Sequence, residues 1–325
     1  MLFIMITIKV SLKEENQRVD KYIRKYLNEA PLSFIYKLFR KKDVKVNGHW
    51  AKQDYILQQG DEIIAYVNDE QLKEFSKPRA LQSSDLKYPI IYEDDNILIV
   101  NKPRGLLVHG DSSEKRLTLS NEVLNYLYFK GEYNPRIDHG FIPGPAHRLD
   151  RNTSGLVVFG KNLPALQALE NLFKDKTEID KVYEALVFGN LTKKMEIDLP
   201  LIKDANSGLV RVGKAKEGAK SALSIVTPNK LYSDVTLVNV SLITGRTHQI
   251  RVHLASVGYP VVGDGKYGNF EMNRIFKDTY KFENQFLHAK SIEFKNIQGV
   301  LSYLSNKKFL APLPKEEQEI LNELR

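Results

Sequence analysis

The segment from Gly144 to Gly160, GPAHRLDRNTSGLVVFG, is the most informative part of the sequence for the fold. Its first part carries polar side chains next to glycine and proline, and its second part, LVVFG, is a short apolar run. Such a run, bounded by turn residues, is typical of a buried strand. The polar part therefore predicts a loop leading into a sheet, with one carboxylate, Asp150, between Arg148 and Arg151.

Further strand and helix patterns lie on both sides of this stretch. Before it, IIYEDDNILIV (residues 90–100) predicts two strands around an Asp-Asn turn, and after it KVYEALVFG, SALSIV and DVTLVNVSLI predict more strands. Helical patterns lie between Thr118 and Phe129 and between Leu163 and Phe173. Because strands outnumber helices and hairpin-length connections recur, we expect an α+β fold with a largely antiparallel, mixed sheet and flanking helices.

The first 75 residues have a pattern of their own. Apolar residues in QRVDKYIRKYLNE recur at helical spacing, Pro31 and Ser33 supply a break and an N-cap candidate, and FIYKLFRKK predicts a second short helix. Asn-Gly at 47–48 predicts a hairpin turn, and GDEIIAYV predicts a strand. We therefore expect a small α+β domain over residues 1–75.

The polar run at 68–87 lacks periodicity and predicts a linker, which we place at residues 76–88. A catalytic domain is then expected over residues 89–311, and EEQEILNELR predicts a short surface helix within a C-terminal tail at 312–325. Because the linker is polar, we expect few contacts across the boundary between the two domains.

The charge of the chain is unevenly placed. The net charge is +8 and the isoelectric point is about 9.2. Five cations fall on the second predicted helix and the turn after it: Lys37, Arg40, Lys41, Lys42 and Lys45. A basic cluster of this kind favours a polyanionic partner such as RNA, although an ordinary solvated face would have the same composition.

The chain contains no cysteine, which excludes disulfides, thiolate catalysis and cysteine-ligated metal centres. This composition fits a reducing compartment, and we expect a cytoplasmic protein. The opening MLFIMITIKV has no basic segment before it and no cleavage site after it, and it is too short to span a bilayer. We therefore expect neither a signal peptide nor a membrane partner.

Two motifs point to chemistry that their surroundings do not support. Gly263, Gly265 and Gly268 fit the dinucleotide-binding spacing, but NFEMNRIFKD is a poor candidate for the helix that should follow, and no βαβ pattern surrounds them. His248 and His253 are five residues apart, so a helix would not place them on one face, and no carboxylate accompanies them. We expect neither a dinucleotide site nor a metal site.

Asp150 is the candidate for chemistry. Flanking cations favour the ionised form of a carboxylate, and an ionised, positioned carboxylate is a competent nucleophile towards an electrophilic carbon. The alternative is that Asp150 closes a turn and is held there by local salt bridges.

Longer segments resemble known families. RVDKYIRKYL, SFIYKLFRKKDVKVNG and LQQGDEIIAY resemble the alpha-L RNA-binding domain. HRLDRNTSG, KVYEALV, TGRTHQIRVHLASVGYPVVGDGKYG and IIYEDDNILIVNKPRGLLVHG resemble the large-subunit ribosomal RNA pseudouridine synthases, the RluA/RluC-like family, in the expected order from about Ile90 to Lys290.

The second resemblance implies roles for single residues. Asp150 would be the catalytic aspartate, and Arg251 its salt-bridge partner. Tyr183 would pack against the target base, and Arg148 would enter the RNA stack that the base has left. The cations of the N-terminal domain would contact phosphates.

The resemblance also implies the reaction, the isomerisation of uridine in structured RNA without a cofactor or metal, and we expect a monomer. Asp150 would attack the ribose C1′ or remove a proton after glycosidic cleavage. Two alternatives remain, a non-catalytic RNA-binding ribosome-assembly factor and a glycosidase that releases the base. Three positions depart from the family pattern: Ala146, Arg104 and Ser221.

Overall fold

The computed structural model describes residues 3–77, 80–175, 177–204 and 207–324. The elements of the N-terminal unit are, in chain order, β1 (Phe3–Lys9), α1 (Val19–Tyr26), α2 (Leu32–Arg40), β2 (Val44–Val46), β3 (His49–Trp50), β4 (Glu62–Asn68) and α3 (Asp69–Phe75). The four strands form one antiparallel sheet in the order β1-β4-β2-β3. The two helices and the hairpin predicted from the sequence are confirmed. The N-cap prediction is wrong, since α2 begins directly after Pro31 and contains Ser33.

The polar run at 68–87 begins with a helix, so the linker prediction is wrong for its first part. Asn68 caps α3, because its side chain accepts a hydrogen bond from the Gln71 backbone (2.8 Å) while the Gln71 side chain accepts one from the Asn68 backbone (3.1 Å). This reciprocal capping box begins the helix, and Leu72 and Phe75, three residues apart, pack its inner side against the core of the N-terminal unit. Pro78 and Arg79, which belong to the linker predicted at 76–88, lie outside the described residues.

The remaining elements follow in chain order. Up to the centre of the chain they are β5 (Ile90–Glu93), β6 (Ile97–Lys102), α4 (Leu119–Phe129), β7 (Gly144–Pro145), β8 (Ser154–Gly160), α5 (Leu163–Asp175), β9 (Ile179–Phe188), β10 (Met195–Asp198), β11 (Leu201–Lys203) and β12 (Val210–Val212). Beyond it they are β13 (Leu223–Leu231), β14 (Val235–Leu242), α6 (Gln249–Ser256), α7 (Phe270–Tyr280), β15 (Leu287–Phe294), β16 (Lys308–Leu310) and α8 (Lys315–Glu323).

A long mixed sheet organises the catalytic domain. Its main path is β10-β13-β14-β9-β15-β8-β6-β5, with β16 paired to β15 and β7 paired to β8. The β8–β15 pair is parallel and the other pairs are antiparallel. Apolar clusters cover both faces of this sheet, with helices packed against them. The α+β class with a largely antiparallel sheet, expected from the sequence, is confirmed.

The parallel pair β8–β15 marks the end of the polar loop that contains Asp150. Gly155 pairs with Ala289 of β15 and has a φ of +109°. A Cβ at this position would lie 2.3 Å from the Ala289 carbonyl oxygen, so only glycine permits this approach of the two strands. Ala289 in turn pairs with Tyr183 of β9. The loop carrying Asp150 therefore enters the sheet one strand away from β9, which carries Tyr183, with β15 between the two.

Few contacts were expected between the N-terminal unit and the catalytic domain, and this expectation is wrong. The backbone N–H of Gly140 donates to Glu14 Oε1 (2.8 Å), and its carbonyl accepts from Gln17 Nε2 (2.9 Å) and Lys25 Nζ (2.8 Å). The Tyr22 hydroxyl also donates to Glu14 Oε1 (3.1 Å). We call these five residues the interface cluster. The cluster fixes one unit against the other through buried hydrogen bonds.

The C-terminal helix α8 is anchored rather than lying freely on the surface. Glu317 and Ile320 are buried, and Ile320 packs into an apolar cluster of the catalytic domain. Arg104, a departure from the family pattern, forms ion pairs with Glu316 and Glu317 and lies over the Phe282 ring at 4.4 Å. This arginine therefore ties the tail to the loop after β6.

No helix within the described ranges is both long enough and apolar enough to cross a membrane.

Candidate active site

Asp150 lies in the loop between β7 and β8, with its side chain about 29% exposed. Its Oδ2 accepts a hydrogen bond from Arg251 Nη1 at 2.9 Å, although 101 residues separate the two in sequence. The turn after Asp150 is closed by the backbone, through Thr153 N–H to the Asp150 carbonyl (3.1 Å). The carboxylate is therefore held by a distant cation, not by its role in a turn.

The arginines beside Asp150 in sequence point elsewhere. Arg151 donates to Ser113 and lies 3.9 Å from the carboxylate of Asp111. Arg148 is exposed and lines the cleft described below. A cation beside Asp150 was expected from the sequence, but Arg148 and Arg151, which flank Asp150 in the chain, do not supply it. A loop turns consecutive side chains in different directions, so adjacency in sequence is a poor guide to contact here.

Arg251 is held from its other side by a second carboxylate. Its Nε and Nη2 donate to the two oxygens of Asp264 at 2.7 and 2.8 Å, while Nη1 is left for Asp150. Asp264 is buried and also accepts hydrogen bonds from the backbones of Lys266 and Tyr267. Although burial acts to raise the pKa of Asp264, Arg251 and these N–H groups hold it below its ordinary value. We call Asp150, Arg251 and Asp264 the cleft cluster.

Two ring side chains complete the surroundings of Asp150. Tyr183 on β9 is buried, and burial raises the pKa of its hydroxyl, with the negative charge of Asp150 adding to the effect. The phenol is therefore neutral near pH 7. His248 precedes α6 with a φ of +54°, and its Nε2 lies 3.7 Å from Asp150 Oδ2. Burial lowers the pKa of His248 despite the carboxylate beside it, and its Nδ1 contacts the Tyr267 hydroxyl at 2.7 Å.

A cleft of about 860 Å³ is lined by Asp150, Tyr183, His248 and Arg251. Carboxylates in its lining are Asp111, Asp150 and Glu170, and cations are Arg148, Lys174, Lys181, Lys203, Arg246, Arg251 and Lys266. Cations outnumber carboxylates, so the cleft attracts anions. Its size and charge suit a nucleotide with its flanking phosphates.

The predicted phosphate-binding cations of the N-terminal unit lie apart from this cleft. Lys37 and Arg40 are exposed on α2, and Lys41 and Lys42 are exposed in the turn that follows. Lys45 on β2 is half-buried, with its Nζ over the ring of Trp50 at 4.4 Å. None of the five is among the residues that line the cleft in the described part of the chain.

The glycine-rich loop serves the cleft cluster. Gly263 has a φ of +75°, and a Cβ there would lie 2.0 Å from the Asn284 carbonyl oxygen, so the loop is tightly packed around Asp264. From the sequence, NFEMNRIFKD (residues 269–278) was considered a poor candidate for a helix, and this prediction was wrong. Helix α7 follows directly, because the Asn269 side chain caps it by accepting a hydrogen bond from Met272 N–H.

Sequence reasoning missed Asp264, His248 and Lys102. The first two lie inside the quoted motif TGRTHQIRVHLASVGYPVVGDGKYG, where a carboxylate between two glycines was the available signal. Lys102 is fully buried and donates to the carbonyls of Pro103, Leu106 and Arg151 at 2.8, 2.8 and 3.0 Å. Burial lowers its pKa to about 7. It supports the loop of Asp150 from beneath, and nothing in its local sequence indicated this.

Comparison with known proteins fits this geometry. Residues 96–256 match the family described as RNA pseudouridylate synthase. The chain is 34% identical over 284 residues to ribosomal large subunit pseudouridine synthase C of Vibrio parahaemolyticus, covering 86% of this chain and 85% of that protein. It is 33% identical over 326 residues to the protein of the same name from Haemophilus influenzae, covering 98% and 94%.

A solved structure shares the fold at lower identity. The human RNA pseudouridylate synthase domain containing 4 protein superposes with a TM-score of 0.56 at 22% identity, covering 73% of this chain and 93% of that chain. The long, well-covered matches at above 30% identity show the family. This chain belongs to the RNA pseudouridylate synthases and is an RNA-modifying isomerase.

Proposed function

We propose that this enzyme converts specific uridines of large-subunit ribosomal RNA to pseudouridine, with Asp150 as its catalytic nucleophile. One observation carries the proposal: the Asp150 carboxylate is held at 2.9 Å by Arg251 in a basic cleft, with one side open. The substrate class is supported by the names of the relatives, which are large-subunit ribosomal RNA enzymes. Membership of the enzyme family also disfavours the alternative of a non-catalytic assembly factor.

The target base must leave its stack to reach Asp150, since a base within structured RNA is closed to a protein side chain. In this proposal Tyr183 packs against the extruded base, and an aromatic face contributes about 1–3 kcal/mol of stacking. Arg148, exposed at the cleft, fills the vacated place in the RNA, where its planar guanidinium can stack and contact phosphate.

The reaction breaks the bond between uracil N1 and ribose C1′ and joins C5 of the same uracil to C1′, so no atom of the uridine is lost except the C5 proton, which moves to solvent while N1 gains one. Asp150 either attacks C1′ or removes a proton after glycosidic cleavage, and both routes need an ionised carboxylate at the reacting nucleotide. Asp264 fixes Arg251, and Arg251 in turn donates a hydrogen bond to Asp150 at 2.9 Å, which orients the carboxylate towards the substrate.

The proposal extends to the rest of the chain. Lys37, Arg40, Lys41, Lys42 and Lys45 of the N-terminal unit contact RNA phosphates and position the enzyme without reading sequence. The enzyme acts as a cytoplasmic monomer and needs no cofactor. Because each phosphate contact releases counterions, RNA affinity falls steeply with salt.

The test is a reaction of the purified protein with unmodified large-subunit ribosomal RNA, with pseudouridine and free uracil both measured. We expect pseudouridine and no free uracil from the wild type. Asp150→Asn keeps the shape of the side chain but removes its charge, so we expect no detectable product while RNA affinity stays within a few-fold of wild type. Release of uracil would identify a glycosidase instead.

A matched control is Asp111→Asn, which changes another carboxylate of the same cleft that has no contact with Arg251 in the described structure. We expect it to retain most of the wild-type rate. Substantial turnover by Asp150→Asn, or an equal loss in both variants, would remove Asp150 from the mechanism.

A further inference from the structure

The sheet of the N-terminal unit has one face turned away from its helices. Strand pairing places Met5 opposite Tyr66, Thr7 opposite Ile64, and Lys45 opposite both Ile64 and Trp50. Their neighbours in sequence, such as Ile6, Val44, Val46, Ile63 and Ala65, form the buried core on the other side. We call the outward set Met5, Thr7, Lys45, Trp50, Ile64 and Tyr66 the sheet platform.

Apolar and aromatic side chains of the sheet platform are exposed to solvent. Met5 is 55% exposed and Trp50 is 51% exposed, while Ile64 and Tyr66 are half-buried. The rings of Trp50 and Tyr66 have their centroids 6.4 Å apart. Lys45 lies between them, with its Nζ 4.4 Å from the Trp50 centroid and 5.5 Å from that of Tyr66. The lysine holds the aromatic pair in place and adds a positive charge to an apolar face.

A basic turn adjoins the platform at one end. The Tyr66 backbone N–H donates to the Asp43 carbonyl at 2.8 Å, so the turn that ends α2 lies against the strand carrying Tyr66. Lys41 and Lys42 are exposed in that turn, and Lys42 has a φ of +61°. Cations beside exposed rings complement an RNA strand, whose phosphates and base faces alternate along its length.

We propose that the sheet platform is a binding site for unpaired RNA, in which nucleobases stack on Trp50 and Tyr66 while Lys41 and Lys42 contact the adjoining phosphates. This inference rests on the proposed function, which supplies RNA as the partner. To the phosphate contacts already proposed for the basic turn it adds base stacking on the sheet platform, which selects single-stranded nucleotides. A duplex hides the faces of its bases and so offers nothing to these rings.

Trp50 gives a direct measurement, since the chain contains one tryptophan. A single-stranded oligoribonucleotide without uridine should quench the fluorescence of Trp50 in the full-length protein when its base stacks on the indole. A duplex of the same length should bind the basic turn without comparable quenching. A uridine-free probe keeps the observation independent of turnover at the cleft.

Substitutions separate stacking from charge. We expect Trp50→Ala to weaken single-stranded RNA binding about 5- to 150-fold, the equivalent of one base–aromatic contact of about 1–3 kcal/mol. Trp50→Phe keeps a π face and should restore most of the affinity. Phe129→Ala is the matched control, because Phe129 is 56% exposed on α4 of the other domain and should leave binding unchanged.

Lys45→Ala tests the lysine of the platform and should weaken binding several-fold. Its control is Lys230→Ala, since Lys230 belongs to β13 of the other domain and lies over another ring, that of Tyr232, at 4.7 Å. Because both changes remove one charge and one cation–ring contact, a difference between them locates the RNA at the platform.

The outcomes separate this inference from the proposed function. Pseudouridine formation without quenching of Trp50 would overturn the platform alone, whereas quenching without any pseudouridine would overturn the enzyme's proposed substrate alone. Equal quenching of Trp50 by duplex and by single-stranded RNA would also overturn the proposal that the sheet platform binds unpaired RNA. Fluorescence that changes with protein concentration and not with RNA would assign the surface to self-association and contradict the proposal.

Discussion

The cleft cluster and the interface cluster are both built from buried charge, yet they differ in what surrounds them. In the cleft cluster, Arg251 is shared by Asp264, which is buried, and Asp150, which opens onto a cavity of about 860 Å³. One carboxylate is thus anchored and the other is held by one oxygen, with room beside it for a substrate.

The interface cluster has no such room. The backbone of Gly140 fills the space between Glu14, Gln17, Tyr22 and Lys25, and a cavity beside the last of these measures only about 40 Å³. Burial raises the pKa of Tyr22 and lowers that of Lys25 to about 8. A strongly shifted pKa is therefore found where no substrate can enter.

The comparison of the two clusters shows that a shifted pKa does not by itself identify a catalytic site. Structural networks and catalytic sites both perturb titratable groups. The cleft cluster differs because Arg251 bonds one oxygen of Asp150 and the rest of that carboxylate faces a large charged cavity. The variants below test this distinction by disturbing each cluster in turn.

The largest effect is expected from Arg251→Ala, which leaves the two carboxylates of the cleft cluster without their cation. Loss of one member of a buried ion pair costs about 3–5 kcal/mol, so we expect pseudouridine formation to fall at least about 100-fold. The rate at saturating RNA measures this. Arg151→Ala is the control, since its pair with Asp111 is exposed and such pairs contribute little. A wild-type rate in Arg251→Ala would show that the ion pair is dispensable.

A smaller effect is expected from Asp264→Asn, which keeps the size of the side chain but loses the charge that fixes Arg251. Hydrogen bonds to charged groups contribute about 1.5–3 kcal/mol, which corresponds to a fall in kcat of about 10- to 100-fold. We expect KM to change little, because Asp264 is buried and does not line the cleft. A raised KM with normal kcat would place its role in RNA binding instead.

In the interface cluster, Gly140→Ala should affect stability and not chemistry. A Cβ there would lie 2.0 Å from a ring carbon of Tyr22 and 2.6 Å from Glu14 Oε1. Overpacking of this kind costs about 1–3 kcal/mol in the free energy of unfolding, which a urea titration would detect. Gly144→Ala is the control, since its nearest neighbour would be an ordinary contact at 3.8 Å. Unchanged stability in Gly140→Ala would mean that the two units separate at little cost.

The smallest effect concerns pH and Lys25. Its pKa in the folded protein is about 8 because burial disfavours the charge, below the ordinary value of 10.5. Between these values the unfolded chain binds more protons than the folded one, so this group makes the protein more stable as pH rises. We expect Lys25→Met to make the rise in stability between pH 8 and 10 smaller, measured by urea unfolding, while the exposed Lys73→Met leaves the rise unchanged. Identical pH profiles for wild type and Lys25→Met would contradict the argument.

Much of the fold followed from local pattern. The strands around Asp150, the helices at Leu163 and Leu119 and the hairpin at Asn47-Gly48 were predicted because period, turn residues and caps act within a few positions. The helix after Asn68 was missed, since it begins at a capping box and only two apolar residues, Leu72 and Phe75, mark its inner side.

The candidate site was only partly within reach. The motifs identified Asp150, Tyr183 and Arg251, and the structure places the first and last in contact. Their chemical roles stay predictions. Asp264 and Lys102 were missed because their importance comes from what they contact, Arg251 in one case and three carbonyls of a neighbouring loop in the other.

The amino-acid sequence alone was enough to predict the class of fold, the family motifs and the excess of positive charge. Each of these depends on residue type and on spacing along the chain. Which charges meet could be seen only in the folded structure. There Asp150 pairs with Arg251 rather than with Arg148 or Arg151, and Gly140 holds the N-terminal unit against the catalytic domain through hydrogen bonds. The physical reason is that the energy of a charge depends on distance and burial, and both are set by packing between segments far apart in the chain.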